Sequence, residues 1–344
     1  MGPDQSAGPI LFGWAERLRG RVFAPLRPYP AAFGRWPAVA LFFAFAWLEL
    51  ISELGERPRI LASLMVAYAA VTWAGMVVFG RRDWLDKAEA FSVAFGLLAR
   101  FAPTQGAGGR WCLRFPGSGL LTERPVGFSG VCFIVLLLTS VTFDGILEVP
   151  LWAAILDWIA ESQALRPLLL ALLGAGFNLI IVIKTLALVV LPLLFLAVFM
   201  AFAAWIAVTG GSERRVTEIA GFFVLSLVPI AIAYHLSHYL SYLLIAGQLI
   251  IPLASDPFGW GWDLFGTAAY GLDVGIINAQ FVWYVAMTAI ISGHVSAVYV
   301  AHVMALRLFD DYDDAIRSQG PMLLLMVGYT MVSLWILSQP IVNP

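Results

Sequence analysis

"NLIIVIKTLALVVLPLLFLAVFMAFAAWIAV", residues 178–208, holds a single charged side chain, Lys184, in an otherwise apolar run. A helix rises about 1.5 Å per residue and needs about 20 apolar residues to cross the hydrocarbon core of a bilayer. The stretch therefore reads as a membrane span, entered after a "GAG" break at 174–176 and undivided by any turn signal. Six further runs share its character: 36–54, 59–80, 128–146, 215–251, 275–306 and 321–339. Pro229 lies inside the fifth span in chain order, so that span is expected to bend or to run past the membrane. The fold class this predicts is all-α, a polytopic membrane helix bundle of about seven transmembrane helices in one domain.

Composition agrees. The 344 residues are 61% hydrophobic and 12% charged, and mean hydropathy is +0.86. Soluble domains carry roughly twice that charged fraction. The net charge of −2 gives no pointer to nucleic acid. Cys112 and Cys132 make neither a disulfide framework nor a cysteine metal site. Residues 1–35 are basic and carry no pattern of a removable signal peptide.

Orientation follows from Lys and Arg in the connections. Sixteen lie before the first span or in the connections 81–127, 209–215 and 307–320, against three on the other side, Arg57, Arg59 and Arg166. The N-terminus is thus expected in the cytoplasm, the C-terminus outside, and the protein in a bacterial inner membrane. Residues 83–101 read as an amphipathic helix on the inner surface, and 104–127 as a short hairpin or loop. Outside, 151–164 reads as a second interfacial helix. The outer loop 255–271 lacks Lys and Arg, and its Phe258, Trp260, Trp262 and Phe265 suit headgroup level.

An ionisable side chain at membrane depth is costly and by default has a task or a partner. Counting rise from the span ends puts Glu49, Glu53, Asp144, His235, His238 and His294 all about 20–26 Å from the inner surface. Lys184 falls at a similar level. His302, two turns of helix inward from His294, does not join them. His235 and His238 are three apart and share a helix face. Imidazole with carboxylate suits a divalent metal, zinc first and iron or manganese next. The expected site therefore has His235, His238 and His294 as metal ligands and Glu49 and Asp144 as catalytic carboxylates. Glu53 serves equally as an interfacial charge paired with Arg57, and Lys184 as a counter-ion for Glu49 or a side chain reaching outward.

Three functions fit such a cluster. A metal-dependent hydrolase would open outward to a lipophilic substrate, the aromatic loop covering it. A transporter or proton pathway would use the same buried groups. A haem or redox subunit would clamp haem between His294 and His235 or His238.

Several segments carry a resemblance: "FAWLEL" (45–50), "DKAEAFSVAFGLLARFAP" (86–103), "SVTFDGILEVPLW" (140–152), "AYHLSHYLSYLL" (233–244), "SDPFGWGWDLFGT" (255–267) and "GHVSAVYVAHVMAL" (293–306). In this order, across roughly 36–310, they resemble bacterial membrane proteins labelled fenitrothion hydrolase. The resemblance implies a membrane organophosphorus hydrolase acting on lipophilic esters, in contact with membrane lipid and with a second subunit or further copies of itself. The matched segments contain Glu49, Asp144, His235, His238, His294 and His302, while Glu53 falls outside them.

Overall fold

The computed structural model describes residues 12–14, 16–18, 20, 23–107 and 110–339. It is an all-α bundle with seven helices long and apolar enough to cross a membrane, so the chain is a multi-pass membrane protein by length and composition. The spanning helices are α1 (Trp36–Leu50), α2 (Pro58–Phe79), α5 (Phe128–Leu147), α8 (Leu179–Thr209), the compound span α9–α10, α12 (Ala279–Leu308) and α13 (Tyr312–Ser338). Two short helices, α6 (Pro150–Glu161) and α7 (Arg166–Gly174), lie between α5 and α8. Helix starts are set by side-chain caps. Asn178 accepts from Ile180 and Ile181 N–H, Asn278 from Gln280 N–H, and Asp311 from Asp313 and Asp314 N–H. The last cap starts α13 at Tyr312, earlier than the apolar run suggests.

Burial separates centre from rim. The apolar windows of α5 and of the 216–255 span are 78% buried, against 17% for α1, α2 and α8. The rim helices therefore leave most of their surface on the outside of the bundle, and α5 and the 216–255 span form the axis. The fifth span runs as α9 (Val216–Phe223), one 3-10 turn (Val224–Leu227) and α10 (Val228–Ala246), followed by α11 (Ile250–Ser255). Pro229 has no N–H to give, and the 3-10 turn before it absorbs the break. The span both breaks and extends, since 216–255 is far longer than a bilayer requires.

Helices α10 and α12 cross at small residues. A Cβ added to Gly293 would sit 2.4 Å from Ala233 Cβ and 2.9 Å from the Pro229 carbonyl oxygen. Ser237 donates across the same interface to the Ala286 carbonyl at 3.0 Å. Small residues that admit close backbones, with a hydroxyl as cross-link, are the usual adhesive where hydrophobic burial gives no preference.

The segment 83–101, expected as a helix on the inner surface, folds otherwise. It breaks at Ala88–Glu89 into α3 (Arg81–Lys87) and α4 (Ala90–Leu98). Helix α3 climbs antiparallel along α2, with Trp84 filling the space beside Gly75 and Glu89 reaching the Tyr68 hydroxyl. Helix α4 descends along α1, with Phe91 against Phe45 at 5.0 Å between rings and Arg100 in the field of Arg35. The apex stands about 15 Å along the bundle from the N-terminal end of α1 and the C-terminal end of α2. The apolar face that suggested an interfacial helix is spent inside the bundle: Ala90, Val93, Ala94 and Leu97 are buried. Below it, β1 (Thr104–Ala107) and β2 (Arg110–Leu113) pair antiparallel as the expected hairpin, with Thr104 opposite Leu113. Arg114 ties the hairpin to the end of α4 by donating to the carbonyls of Ala99, Arg100 and Ala102.

Candidate functional site

Asp144 lies on the last turn of α5, and His238 and Tyr239 face it from α10. Asp144 Oδ2 accepts from Tyr239 OH at 2.8 Å and lies 2.9 Å from His238 Nε2. An ionised carboxylate offers only lone pairs, so His238 Nε2 carries the proton and Nδ1 keeps the basic lone pair. The Tyr239 ring packs edge-on against the His238 ring, with centroids 4.9 Å apart, and fixes its plane. Gly145 keeps the approach open. A Cβ there would lie 3.0 Å from Ile336, 3.3 Å from Tyr234 OH and 4.0 Å from His238 Nδ1.

His238 lines a cavity of about 440 Å³ at the C-terminal end of α5, bounded by α5, α10, α12 and α13. Tyr234, Ser237, Ser241 and Glu148 add polar groups to its wall, and Ile290, Trp283 and Ile336 make much of the rest apolar. One edge is closed by the segment that returns from the loop 255–271. Gln248 accepts from Asp273 N–H at 3.0 Å and donates to the Asp273 carbonyl at 2.9 Å, holding that segment over the end of α10. Val274 and Ile277 then reach the cavity. Phe258, Trp260 and Trp262 are absent from its lining and instead pack on one another, Phe258 stacked on Trp260 at 4.9 Å and both edge-to-face with Trp262 at 5.6 and 5.0 Å.

The predicted residues are only partly gathered. Asp144 and His238 meet directly. Glu49, exposed on α1, stands close enough for its charge to act on Tyr239 and for Asp144 to act on it in turn, without a hydrogen bond between the two carboxyl groups. His235 shares the helix face, but its Nδ1 donates to the Ala231 carbonyl at 2.7 Å, and its ring lies 6.2 Å from Tyr239. His294 sits lower, between α12 and α13, with its ring 5.9 Å from that of Tyr329. His302 is apart, with Nδ1 2.7 Å from Gln319 Oε1. Glu53 is exposed on a 3-10 turn beyond α1. Among the described residues no ion pair joins Lys184 to Glu49, although Trp47 and Thr185, their neighbours in sequence, are hydrogen-bonded at 2.9 Å.

The donor set tests the expected metal site. Among the described residues no group of three or more His, Cys, Asp or Glu side chains stands close enough together to hold a metal ion. The geometry gives one carboxylate oxygen and one imidazole nitrogen already bonded to each other, which is an acid–base pair. Tyr239, which shares the Asp144 oxygen, and Glu148, at the cavity wall, add to the site. Tyr239 directly follows a histidine in the sequence, and its hydroxyl in an apolar helix was the signal available.

Comparison with protein-family models, with curated proteins and with solved structures finds no match for this chain.

Proposed function

We propose that this protein is a membrane-embedded hydrolase of lipophilic esters, phosphotriesters included, working from the outer side of a bacterial cytoplasmic membrane. The observation that carries the reading is the Asp144–His238 pair at the wall of an apolar cavity large enough for a small lipophilic substrate. Asp144 holds Nε2–H and orients the ring. The Nδ1 lone pair takes a proton from water as the water oxygen bonds to the phosphorus or carbonyl carbon. The bond to the leaving aryloxide or alkoxide breaks, and His238 returns the proton to it. Tyr234, also in the cavity wall, offers an O–H to the oxygen on which charge gathers. No step is routed through a metal, because the histidines expected to bind one do not converge. The resemblance to fenitrothion hydrolases supports the substrate class. The test is turnover of a chromogenic aryl phosphotriester and an aryl carboxylate ester by the protein in liposomes, beside His238→Ala and Asp144→Asn.

A second reading rests on a different observation. Tyr329 donates or accepts at Thr142 at 2.6 Å, its ring lies 6.5 Å from Tyr234 and 5.9 Å from His294, and this polar line runs inward from the cavity. A proton pathway would use it. Dye-reported proton flux into liposomes without hydrolysis of either ester favours that reading.

A further inference from the structure

Arg35 is the N-cap residue of α1, and Arg100 lies just past the end of α4, which descends along α1, so both stand at one end of the bundle. The Arg35 backbone N–H donates to Ser129 Oγ on the first turn of α5 at 2.8 Å. Its guanidinium lies over Gly130 of the same turn, where a Cβ would come within 2.9 Å of Nη1. Arg100 is held by Arg114, whose Nη2 donates to the Arg100 carbonyl at 2.9 Å. The Arg35 and Arg100 side chains face each other closely enough for their like charges to act on one another, and Arg114 adds its charge to that on Arg100.

Arg114 spends its N–H groups on the carbonyls of Ala99, Arg100 and Ala102, but the other two arginines have nothing comparable. Among the described residues neither the Arg35 nor the Arg100 guanidinium makes a hydrogen bond or an ion pair, and no nitrogen of either is sealed from the surface. Both side chains are half-buried. The acidic groups of the adjoining apex are spent elsewhere: Asp83 on Lys87 at 2.6 Å, Asp86 on Arg82 at 3.9 Å and Glu89 on the first turn of α4. Like charges held together and partly desolvated are unfavourable until an anion joins them. Two guanidinium forks, each able to give parallel N–H bonds, match the oxygens of a phosphate. The surroundings name the source of that phosphate. Trp36, 47% exposed, packs edge-on against Phe128, 41% exposed, with ring centroids 6.3 Å apart at the starts of α1 and α5. Half-exposed aromatics at the ends of membrane spans settle at headgroup level, where lipid phosphates stand. A basic pocket between membrane helices at that level suits an anionic headgroup.

We propose that Arg35 and Arg100 form a binding site for the phosphate of an anionic phospholipid, seated among the starts of α1 and α5 and the end of α4. The site is independent of the Asp144–His238 pair.

The experiment titrates the detergent-purified protein with phosphatidylglycerol, with phosphatidylcholine of the same acyl chains and with inorganic phosphate, and counts bound ligand by native mass spectrometry. Phosphatidylglycerol is expected to bind at least about tenfold tighter than phosphatidylcholine, since each arginine near the surface contributes roughly fivefold toward an anionic lipid. Arg35→Gln and Arg100→Gln each lose part of that preference, and the double variant loses all of it. Arg110→Gln, on the exposed hairpin, and His238→Ala leave it within about twofold, because neither touches the pair. Raising salt from about 0.05 to about 0.5 M weakens the preference in the wild-type protein, which keeps the test valid if a variant does not fold. Equal binding of the two lipids, a preference indifferent to salt, or a preference kept by the double variant overturns the site. A loss in Arg110→Gln equal to that in Arg35→Gln shows a diffuse basic surface and overturns it as well. Inorganic phosphate bound as tightly as the lipid overturns the lipid assignment, and loss in His238→Ala overturns the independence.

Discussion

His238 Nε2 lies 2.9 Å from Asp144 Oδ2, so two residues 94 apart in sequence join α10 to α5 beside the 440 Å³ cavity. The same carboxylate oxygen accepts from Tyr239, so one acidic group fixes both the tautomer and the plane of the imidazole.

That relationship sets the first prediction. Removing a positioned general base costs about 100-fold or more in turnover. His238→Ala and Asp144→Asn should each lose at least that much ester hydrolysis. Tyr239→Phe keeps the ring and drops one hydrogen bond, so its loss should be smaller, about tenfold. His235→Ala should stay within about threefold, because its ring is anchored to its own helix. Steady-state rates in liposomes check all four, and a His235→Ala loss equal to that of His238→Ala would speak for paired histidines.

Chelation separates an acid–base pair from a metal centre. Overnight treatment with a strong chelator should leave hydrolysis within about twofold, since proton transfer through His238 and Asp144 needs no cation. A large loss, restored by zinc, iron or manganese in proportion to metal bound, would reinstate His235, His238 and His294 as ligands.

The re-entrant apex makes a stability prediction. Glu89 caps α4 by accepting from Phe91 N–H at 3.2 Å and Ser92 N–H at 2.6 Å, and it also bonds the Tyr68 hydroxyl. Hydrogen bonds to a charged group contribute about 1.5–3 kcal/mol each when buried. Glu89→Ala should therefore lower the thermal midpoint in detergent by several degrees, Glu89→Gln by less, and Tyr68→Phe least. A Glu89→Ala midpoint equal to wild type would count against the buried apex.

Close helix contact predicts a further cost. Gly293→Ala has no space beside Ala233 and Pro229, and overpacking of this kind destabilises by about 1–3 kcal/mol. The double variant Gly293→Ala with Ala233→Gly should recover part of the loss in thermal midpoint, which distinguishes local crowding from a general defect.

The loop 255–271 carries a pH dependence. Asp263 accepts from Ala268 N–H at 2.9 Å and from the Ser255 hydroxyl at 2.8 Å, and these bonds hold its carboxyl below the ordinary aspartate value. A depressed folded pKa means the contribution is complete above the unfolded value and is lost as pH falls through the folded one. The protection of 256–268 against hydrogen exchange, taken relative to the intrinsic rate at each pH, should therefore be flat from neutral pH down to the ordinary aspartate range and then fall. Asp263→Asn should exchange faster throughout.

Much of the site's depth was legible in the sequence, and little of its rotation. Rise per residue put Glu49, Asp144, His235, His238 and His294 at one level, and Asp144, His238 and a nearby Glu49 do share it. His294 lies lower, near the level of Ala233 and Pro229, and faces α13, because the turn of α12 about its own axis follows from where Gly293 fits against Ala233. The helical period places His235 and His238 on one face, yet a backbone carbonyl one turn back captures the first ring and a distant carboxylate the second. For 83–101, amphipathic spacing gives an apolar face without saying whether lipid or protein covers it. Tyr68 and Phe45, far off in sequence, supply the answer.

The sequence by itself determined the seven spans and the breaking residue Pro229, because hydrophobic length and the missing proline N–H act locally. It also ordered the ionisable groups along each helix, since helical rise is regular within one element. Tertiary structure alone decided which groups touch. Contact depends on helix rotation and crossing, and those are fixed by small residues and side-chain fit between segments that the chain brings together only when folded.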